Sequence, residues 1–375
     1  MNTNKVVIIG STGSIGTQTI QALSKINAAE KQFEIVGIAA HMSERLIDQI
    51  KCIHPKAYSF SREIEGIDSA YYRDPVQMIE SLRPDICVIA SSGSDSLRYT
   101  VSALKNAGRV CLANKESLVM AGRLIKQMSK ILHTRIIPVD SEHSAVFQLI
   151  QEERLEDIET VFITASGGAL RDWPTEKLSS ARVEDVLQHP NWNMGKKITV
   201  DSATMINKGL EIIEAAEFFD LKKEQIQTML SYSSYVHAIA VFKDGSVKLH
   251  AGQPNMQIPI AYALTYPERL MRYDPVNFEP EKLVLKPMEL EKYPAVQLAY
   301  TIINEPNSLK IAYNGANEVA VQLFLEHKIS FTDIYKIVKD AVNETDSTEI
   351  ESIDEIIQFN EWLKKKTLLK WRGLR

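Results

Sequence analysis

The sequence predicts an α/β protein with three consecutive parts: a parallel sheet with helices on both faces, an α+β domain, and a small helical bundle. From residue 5 to about residue 151, short apolar runs alternate with amphipathic helical patterns, an order typical of parallel strands joined by crossover helices. From Glu159 onward, strand-like segments are separated by long polar connections that contain proline. From Tyr293 to the end, the apolar spacing is helical.

The first part has the pattern of a doubly wound, Rossmann-like domain. Its helical patterns start with an apolar face formed by Ile15, Ile20, Leu23 and Ile26, and continue at 96–106 and 117–131. The predicted strands are Lys5–Ile9, Phe33–Ala39, Ile86–Ala90, Arg109–Ala113 and Arg135–Val139.

The second part alternates strands with polar loops. Its predicted strands are Thr160–Ala165, Ile198–Val200, Ala238–Lys243 and Ser246–His250. Asp244-Gly245 between the last two predicts a hairpin, because this pair readily supplies the positive φ of a tight turn. The predicted domains are 1–131 for the doubly wound domain, 132–265 for the α+β domain and 292–375 for the helical bundle, with a proline-rich linker at 266–291.

The composition excludes several classes of protein. The chain has 375 residues, 45% of them hydrophobic, and a formal charge of −5. A nucleic-acid-binding surface normally shows as a basic domain or stripe, so we expect a small-molecule partner and no nucleic acid. Three cysteines without Cys-x-x-Cys spacing predict neither a disulfide framework nor a thiolate zinc site, and indicate a cytoplasmic protein. No segment is long and apolar enough to predict membrane insertion.

A glycine-rich turn, Gly10-Ser-Thr-Gly13-Ser-Ile-Gly16, follows the first strand and opens the first helix. In this context the glycines allow close backbone approach, and the helix N-terminus offers free N–H groups to a pyrophosphate. The turn therefore predicts dinucleotide binding. The alternative is a turn that only packs a helix on a strand.

The residues after the second strand favour NADPH over NADH. Ala39-Ala40-His41-Met42-Ser43 contains no carboxylate to hold the ribose 2′-hydroxyl of NAD. His41 or Arg45 could instead approach a 2′-phosphate. A solvated loop histidine is the alternative for His41.

Three carboxylates indicate a divalent cation. Asp140 and Glu142 follow the Arg135–Val139 strand, and Glu211 follows Asn207-Lys208-Gly209-Leu210. Carboxylates without a cluster of histidines or cysteines suit Mg²⁺ or Mn²⁺ better than zinc. The alternative is that Asp140 or Ser141 is the N-cap of a helix at 143–151.

Two polar segments have the composition of an anion site. Thr164–Gly168 and Asp201–Lys208 are rich in small hydrogen-bond donors and carry one lysine, which is what a phosphate dianion needs. A polar turn that caps a helix at 203–218 is the alternative.

Between these two polar segments, residues 171–197 form a long polar stretch typical of an active-site lid. Trp192 within it could equally be a buried anchor.

Taken together, the motifs resemble the 1-deoxy-D-xylulose 5-phosphate reductoisomerase family over nearly the whole chain. The motifs that carry the resemblance are Gly10–Gly16, Ala113–Leu118, Pro138–Ser144, Ala165–Gly168, His189–Gly195, Asp201–Gly209 and Asn314–Val321. The resemblance implies an NADPH- and divalent-metal-dependent rearrangement and reduction of 1-deoxy-D-xylulose 5-phosphate to 2-C-methyl-D-erythritol 4-phosphate, in the non-mevalonate route to isoprenoids. It also implies a homodimer.

The resemblance implies a role for each matching residue. The metal ligands would be Asp140, Glu142 and Glu211, and these residues would be catalytic together with Lys115. The phosphate of the substrate would be bound by Ser166, Ser202, Asn207 and Lys208. Other substrate contacts would come from Lys115, Ser141, Glu142, Glu211, His189 and Trp192, the last in a flap with Met194. The NADPH contacts would be Thr12, Gly13, Ser14, Ile15, Asn114, Glu116 and Gly195.

Two segments depart from the family pattern. Ala40-His41-Met42 stands where the family usually has Gly-Lys-Asn or Gly-Ser-Asn, which concerns the choice between NADPH and NADH. Tyr232-Ser-Ser-Tyr235 stands where relatives have His-Pro-Gln-Ser, near an expected dimer interface, so we expect this change to affect assembly.

Two other functions are alternatives to the reductoisomerase. One is a semialdehyde dehydrogenase with Cys111 as nucleophile, and the other is a dinucleotide sensor without catalysis.

Overall fold

A computed structural model describes residues 3–29, 32–272 and 278–371. They form two compact units. The first comprises 1–117, 125–144 and 255–277, and the second 118–124, 145–254 and 278–375, within those described limits.

The first unit is built on a parallel sheet. Its strands are β1 (Asn4–Ile9), β2 (Phe33–Ala39), β3 (Ala57–Ser59), β4 (Ala70–Tyr72), β5 (Ile86–Ile89), β6 (Arg109–Leu112) and β7 (Arg135–Pro138). In the described residues their order is β4-β3-β2-β1-β5-β6-β7, with every neighbouring pair parallel. The order reverses between β1 and β5, which is where open α/β sheets bind ligands. The predicted doubly wound sheet is confirmed.

Helices connect these strands. They are α1 (Ser14–Ala29), α2 (Arg45–Ile53), α3 (Pro75–Leu82), α4 (Ser96–Asn106) and α5 (Lys115–Leu132). Helix α6 (Ser141–Ile150) follows β7, and its residues from 145 onward belong to the second unit, while α10 (Gln257–Thr265) belongs to the first. The apolar face predicted for α1 is buried at Leu23 and Ile26. The side chain of Asn114 caps α5 by accepting the N–H of Ser117 at 2.9 Å, so α5 begins directly after β6.

The second unit contains a mixed sheet. Its strands are β8 (Ile158–Ala165), β9 (Ile226–Leu230), β10 (Val236–Phe242), β11 (Val247–Ala251) and β12 (Lys286–Pro287), in the order β11-β10-β8-β9-β12 among the described residues. Strands β8 and β9 are parallel, and the other neighbours are antiparallel. The predicted hairpin joins β10 to β11, with Gly245 at φ +86°.

Helices complete the second unit. They are α7 (Val183–Val186), α8 (Lys196–Thr204), α9 (Ile206–Phe219), α11 (Pro294–Ile302), α12 (Asn307–Leu325), α13 (Phe331–Asn343) and α14 (Ile353–Trp371). The last four confirm the predicted helical region. Helix α12 is buried along most of its length and packs in one core with α8, α9, α11 and α13.

One predicted strand is wrong. Ile198–Val200 lies in α8, where Thr199 and Val200 are buried and the Thr199 hydroxyl donates to the carbonyl of Gly195 at 2.9 Å. Burial of one helical face decides the conformation here, because three residues are too few for the hydrophobic pattern to distinguish a helix from a strand. The helix predicted at 203–218 is likewise interrupted, since Met205 is left-handed at φ 60°.

The predicted boundaries at 131, 265 and 291 remain a prediction. The structure adds two facts about them. Strand β7 belongs to the first sheet although it follows residue 131, and β12 lies inside the predicted linker. Residues 273–277 of that linker are outside the described part of the chain. None of the described helices is long and apolar enough to cross a membrane.

Candidate active site

The glycine-rich turn joins β1 to α1 in the first unit. Gly10 has φ +86°, and a Cβ there would lie 2.6 Å from the backbone nitrogen of Ser91. A Cβ on Gly16 would lie 2.5 Å from the Cα of Ser11. Both positions need glycine for close backbone approach. Between them the predicted cofactor residues Thr12, Gly13, Ser14 and Ile15 remain half-buried or exposed at the N-terminus of α1, where N–H groups and the helix dipole favour an anion.

The other two predicted cofactor residues of this unit contact the loop at Ser91–Gly93, which follows β5. The Asn114 amide donates to the carbonyls of Ser91 and Gly93, at 3.1 Å each, and to Glu116 Oε2 at 2.8 Å. Glu116 Oε1 accepts the N–H of Gly93 at 3.2 Å. Asn114 and Glu116 are both buried. They therefore fix the loop against which Gly10 packs.

The segment after β2 offers no carboxylate at 40–43. His41 and Met42 are exposed, and Arg45 is exposed at the start of α2. The nearby Glu44 pairs with Arg62 at 3.2 Å. The approach of His41 or Arg45 to a 2′-phosphate stays a prediction.

Asp140 lies at the end of β7 and makes two kinds of contact. Its Oδ2 pairs with Lys115 Nζ at 2.8 Å. Its Oδ1 accepts from the backbone of Glu142 at 3.3 Å and lies 3.2 Å from Nδ1 of the buried His143. Asp140 therefore makes the backbone contact of an N-cap residue and also forms an ion pair with Lys115.

The carboxyl group of Asp140 is held ionised. Burial alone would raise its pKa, but Lys115 and His143 outweigh that effect and hold the pKa well below its usual range. In the same segment Ser141 Oγ donates to Glu142 Oε2 at 2.5 Å. Lys115 follows β6 and Asp140 follows β7, so adjacent parallel strands bring these groups to one edge of the sheet.

The third carboxylate lies in the second unit, on α9. Glu211 is 1% exposed. Its two oxygens accept from Asn207 Nδ2 and from Lys208 Nζ, both on the preceding turn of the helix. Spacings of three and four residues place these side chains on one helical face. Three predicted site residues are thus brought together within this unit.

Ser166 and His189 form the second cluster of this unit. His189 Nε2 lies 2.9 Å from Ser166 Oγ, and the Gly168 N–H donates to the same hydroxyl at 3.2 Å. A Cβ on Gly168 would lie 2.5 Å from the carbonyl oxygen of Ser202. The close approach that glycine permits therefore brings the Ser166 loop against the segment that carries Ser202.

His189 also organises the predicted flap. Its Nδ1 accepts the N–H of Asn191 at 3.2 Å and that of Trp192 at 3.0 Å. Burial, with a smaller effect of Arg171, lowers the His189 pKa to about 4. Residues 189–195 have no regular helix or strand, and Trp192 and Met194 are half-buried while Gly195 is exposed.

Sequence reasoning missed several polar residues that support these clusters. Arg171 Nη1 donates to the carbonyls of Ser166 at 3.1 Å and Tyr232 at 2.9 Å. Asn191 Nδ2 donates to Tyr232 O at 2.7 Å and Ser234 Oγ at 2.8 Å. The segment Tyr232–Tyr235 therefore contacts the flap, a role that its departure from the family pattern could have indicated. The expectation that its change affects assembly stays a prediction.

Cys111 does not have the environment of a nucleophile. It lies in β6, is 1% exposed, and burial raises its pKa to about 12. Catalytic cysteines instead need a lowered pKa and access to substrate. The semialdehyde dehydrogenase hypothesis therefore loses its catalytic group.

A doubly wound parallel sheet with a glycine-rich first turn, followed by a unit that carries a buried carboxylate with amide and lysine partners, is the arrangement of an NADP-dependent oxidoreductase. Family models agree over three segments. Residues 6–122 match 1-deoxy-D-xylulose 5-phosphate reductoisomerase, and residues 136–219 and 251–366 match two C-terminal domains of the same enzyme. The chain belongs to the 1-deoxy-D-xylulose 5-phosphate reductoisomerase family.

Individual relatives support this assignment along the whole length. The enzyme of that name from Thermotoga maritima is 40% identical over 99% of this chain and 98% of its own, and that from Pseudothermotoga lettingae is 41% identical over 98% of both. A crystal structure of DOX-P reductoisomerase in complex with NADPH, fosmidomycin and magnesium has a TM-score of 0.90 at 33% identity, covering 99% of both chains. The Zymomonas mobilis enzyme in complex with NADPH has a TM-score of 0.87 at 28% identity, covering 100% of both.

Proposed function

We propose that this chain converts 1-deoxy-D-xylulose 5-phosphate to 2-C-methyl-D-erythritol 4-phosphate with NADPH and a divalent cation, in the non-mevalonate route to isoprenoids. The observation that carries the proposal is that two of the carboxylates are largely buried and paired with lysines. Asp140 and Glu211 are shielded from bulk water and each is paired with a lysine, Lys115 and Lys208 respectively. Carboxylates largely removed from water and paired with cationic neighbours are typical of sites that handle charged ligands.

The metal ligands in this proposal are Asp140, Glu142 and Glu211, each of which offers one oxygen ligand. This donor set fits Mg²⁺ or Mn²⁺, which prefer oxygen. When bound, the cation supplies positive charge to the oxygens of the substrate as the carbon skeleton rearranges. Lys115 holds Asp140 as a carboxylate, so that no proton must leave before a cation binds.

NADPH, which supplies the hydride, is held in this proposal by the glycine-rich turn and its neighbours. The contacts are Thr12, Gly13, Ser14 and Ile15 at the start of α1, Asn114 and Glu116 beside them, and Gly195 from the flap. The turn fits a pyrophosphate because Gly10 and Gly16 admit no Cβ and the helix N-terminus is accessible.

The sugar phosphate is held through its charged end. Ser166, Ser202, Asn207 and Lys208 bind the phosphate, and Lys115, Ser141, Glu142, Glu211, His189 and Trp192 contact the sugar. The neutral His189 donates a hydrogen bond from Nε2 without adding charge. The binding energy of the remote phosphate can drive flap closure over the reacting carbons, which excludes water from the aldehyde that hydride reduces.

The proposed enzyme is a cytoplasmic homodimer. The odd number of cysteines and the lack of Cys-x-x-Cys spacing support a reducing compartment. Size-exclusion chromatography with light scattering tests the dimer, since a monomeric mass at micromolar concentration would contradict it.

The deciding experiment is an NADPH oxidation assay with the purified protein. We expect turnover with 1-deoxy-D-xylulose 5-phosphate when Mg²⁺ or Mn²⁺ is present, and loss of turnover in excess chelator that is restored by added metal. Equal turnover in chelator would sink the metal role. NADPH binding without turnover under every condition would instead favour the sensor hypothesis.

A further inference from the structure

The buried polar residues of α12 have no role in the proposed mechanism, although the motif Asn314–Val321 is part of the family resemblance. Tyr313 and Asn317 lie one helical turn apart and so share one face of α12. Both side chains are 0% exposed. Each contacts a different helix of the pair that carries the phosphate-binding residues.

Asn317 contacts α8. Its Nδ2 donates to Asp201 Oδ1 at 2.7 Å, while Asp201 Oδ2 accepts from Lys197 Nζ at 2.9 Å. Asp201 is 1% exposed. A hydrogen bond to a buried carboxylate is among the stronger side-chain interactions, and its loss leaves the carboxylate undersatisfied.

The position of Asp201 makes this contact relevant to the phosphate site. Asp201 directly precedes Ser202, and α8 ends at Thr204, two residues after Ser202. At the other end of α8, Lys197 lies two residues after Gly195, which ends the flap segment 189–195. The pair Asn317–Asp201 therefore fixes the helix that carries Ser202 and continues from the flap.

Tyr313 contacts α9 by packing. Gly209 follows Lys208 directly, and a Cβ on Gly209 would overlap the Tyr313 hydroxyl group. That hydroxyl donates to the carbonyl of Ala295 at 3.1 Å, which fixes the ring. One face of α12 thus sets both α8, through Asn317, and α9, through Tyr313.

We propose that Asn317 is a positioning residue for the phosphate site: by holding Asp201 it sets the place of Ser202, without touching the substrate itself. This inference rests on the proposed function insofar as Ser202 binds phosphate. Loss of the Asn317 amide shifts Ser202 and weakens phosphate binding, while the glycine-rich turn keeps its NADPH affinity.

The test compares Asn317→Leu with Asn314→Leu. Asn314 lies on the same helix and is also 0% exposed, but its amide contacts Glu318 within α12 at 3.4 Å. Both variants replace a buried amide by an apolar side chain of similar size. We expect about a tenfold rise in the KM for the sugar phosphate in Asn317→Leu alone, with kcat and the Kd for NADPH within about twofold of wild type.

A second readout needs no turnover. Inorganic phosphate stabilises a protein that binds it, so we expect phosphate to raise the Tm of the wild type and of Asn314→Leu but not of Asn317→Leu. Asn317→Ser, whose hydroxyl is too short to reach Asp201, gives the same result should the leucine variant fail to fold. Exchange of donor and acceptor in the double variant Asp201→Asn/Asn317→Asp restores the response to phosphate.

The outcomes separate the two proposals. An equal rise in Tm for Asn317→Leu and Asn314→Leu, or equal KM values, would overturn the positioning role. No response of the wild type to phosphate would overturn it as well. If the wild type turns over no 1-deoxy-D-xylulose 5-phosphate while the difference in Tm persists, the proposed function fails and the positioning role stands.

Discussion

The imidazole of His189 donates from Nε2 toward Ser166 Oγ, 2.9 Å away, while its Nδ1 accepts two backbone N–H groups of the flap. A ring nitrogen that accepts hydrogen bonds carries no proton, so this arrangement selects the Nε2–H form of the neutral ring. His189 therefore links the start of the flap to the loop that carries Ser166.

We predict that His189 remains neutral down to about pH 4, because burial lowers its pKa to about 4 from an ordinary 6.5. As pH falls below 6.5 the unfolded chain takes up this proton first, so the stability contribution is complete above pH 6.5 and is lost between 6.5 and 4. Nitrogen-15 NMR of labelled histidine should show the Nε2–H tautomer at pH 6. A titration midpoint near 6.5 for His189 would contradict the prediction.

Glu211→Gln should abolish turnover and weaken binding of Mg²⁺ while leaving the Kd for NADPH within about twofold. The substitution removes the charge of a proposed metal ligand but keeps its shape. Glu217→Gln on the same helix is the matched control, because Glu217 pairs with Lys310 at 2.5 Å and has no role in the proposed metal site. Calorimetric titration with Mg²⁺ separates the two, and simultaneous loss of NADPH binding in Glu211→Gln would argue against a distinct metal site.

Gly16→Ala should weaken NADPH binding at least tenfold. The added Cβ would lie 2.5 Å from the Cα of Ser11, so the turn must open away from α1. Gly66→Ala is the control: Gly66 has φ +75° but no atom within 4 Å of an added Cβ. It should cost about 1 kcal/mol of stability from backbone strain without changing the fluorescence titration with NADPH. Unchanged affinity in Gly16→Ala would show that the turn is not the cofactor site.

Arg45→Ala should reduce the preference for NADPH over NADH. No carboxylate stands at 40–43, and the exposed Arg45 is a cation at the start of α2, close in sequence to the end of β2. We expect kcat/KM for NADPH to fall about tenfold, since one charged hydrogen bond contributes roughly 1.5–3 kcal/mol, with kcat/KM for NADH unchanged. Arg62→Ala, which removes the partner of Glu44, should alter neither value.

The elements with a repeated local signal were predictable from the sequence. The alternation of apolar runs and helical patterns gave the parallel sheet, the Asp244-Gly245 pair gave the β10–β11 hairpin, and the spacing after Tyr293 gave α11–α14. Each of these signals lies within a few residues of the element it specifies. The motifs that carry the candidate site were also visible, because residue types and order mark them without knowledge of the fold.

Partners distant in sequence were not predictable in this way. Whether Ile198–Val200 is helix or strand depends on burial against residues more than a hundred positions away, and three residues are too few to show a period. The same holds for Asn317 and Asp201, which are 116 positions apart. Within the candidate site, the lysine that holds Asp140 ionised is the first residue of α5, which follows the neighbouring strand β6, so no local pattern reveals the pair.

The contact between Gly209 and Tyr313 makes two positions share one volume. The space that a side chain at 209 would occupy is already filled by the phenol of residue 313, and close-packed interiors do not expand to admit both. A larger residue at 209 would need a smaller one at 313, and the exchange would also free the carbonyl of Ala295. Substitutions in α9 and α12 at this contact therefore have to be designed together, because neither helix surface can change size independently of the other.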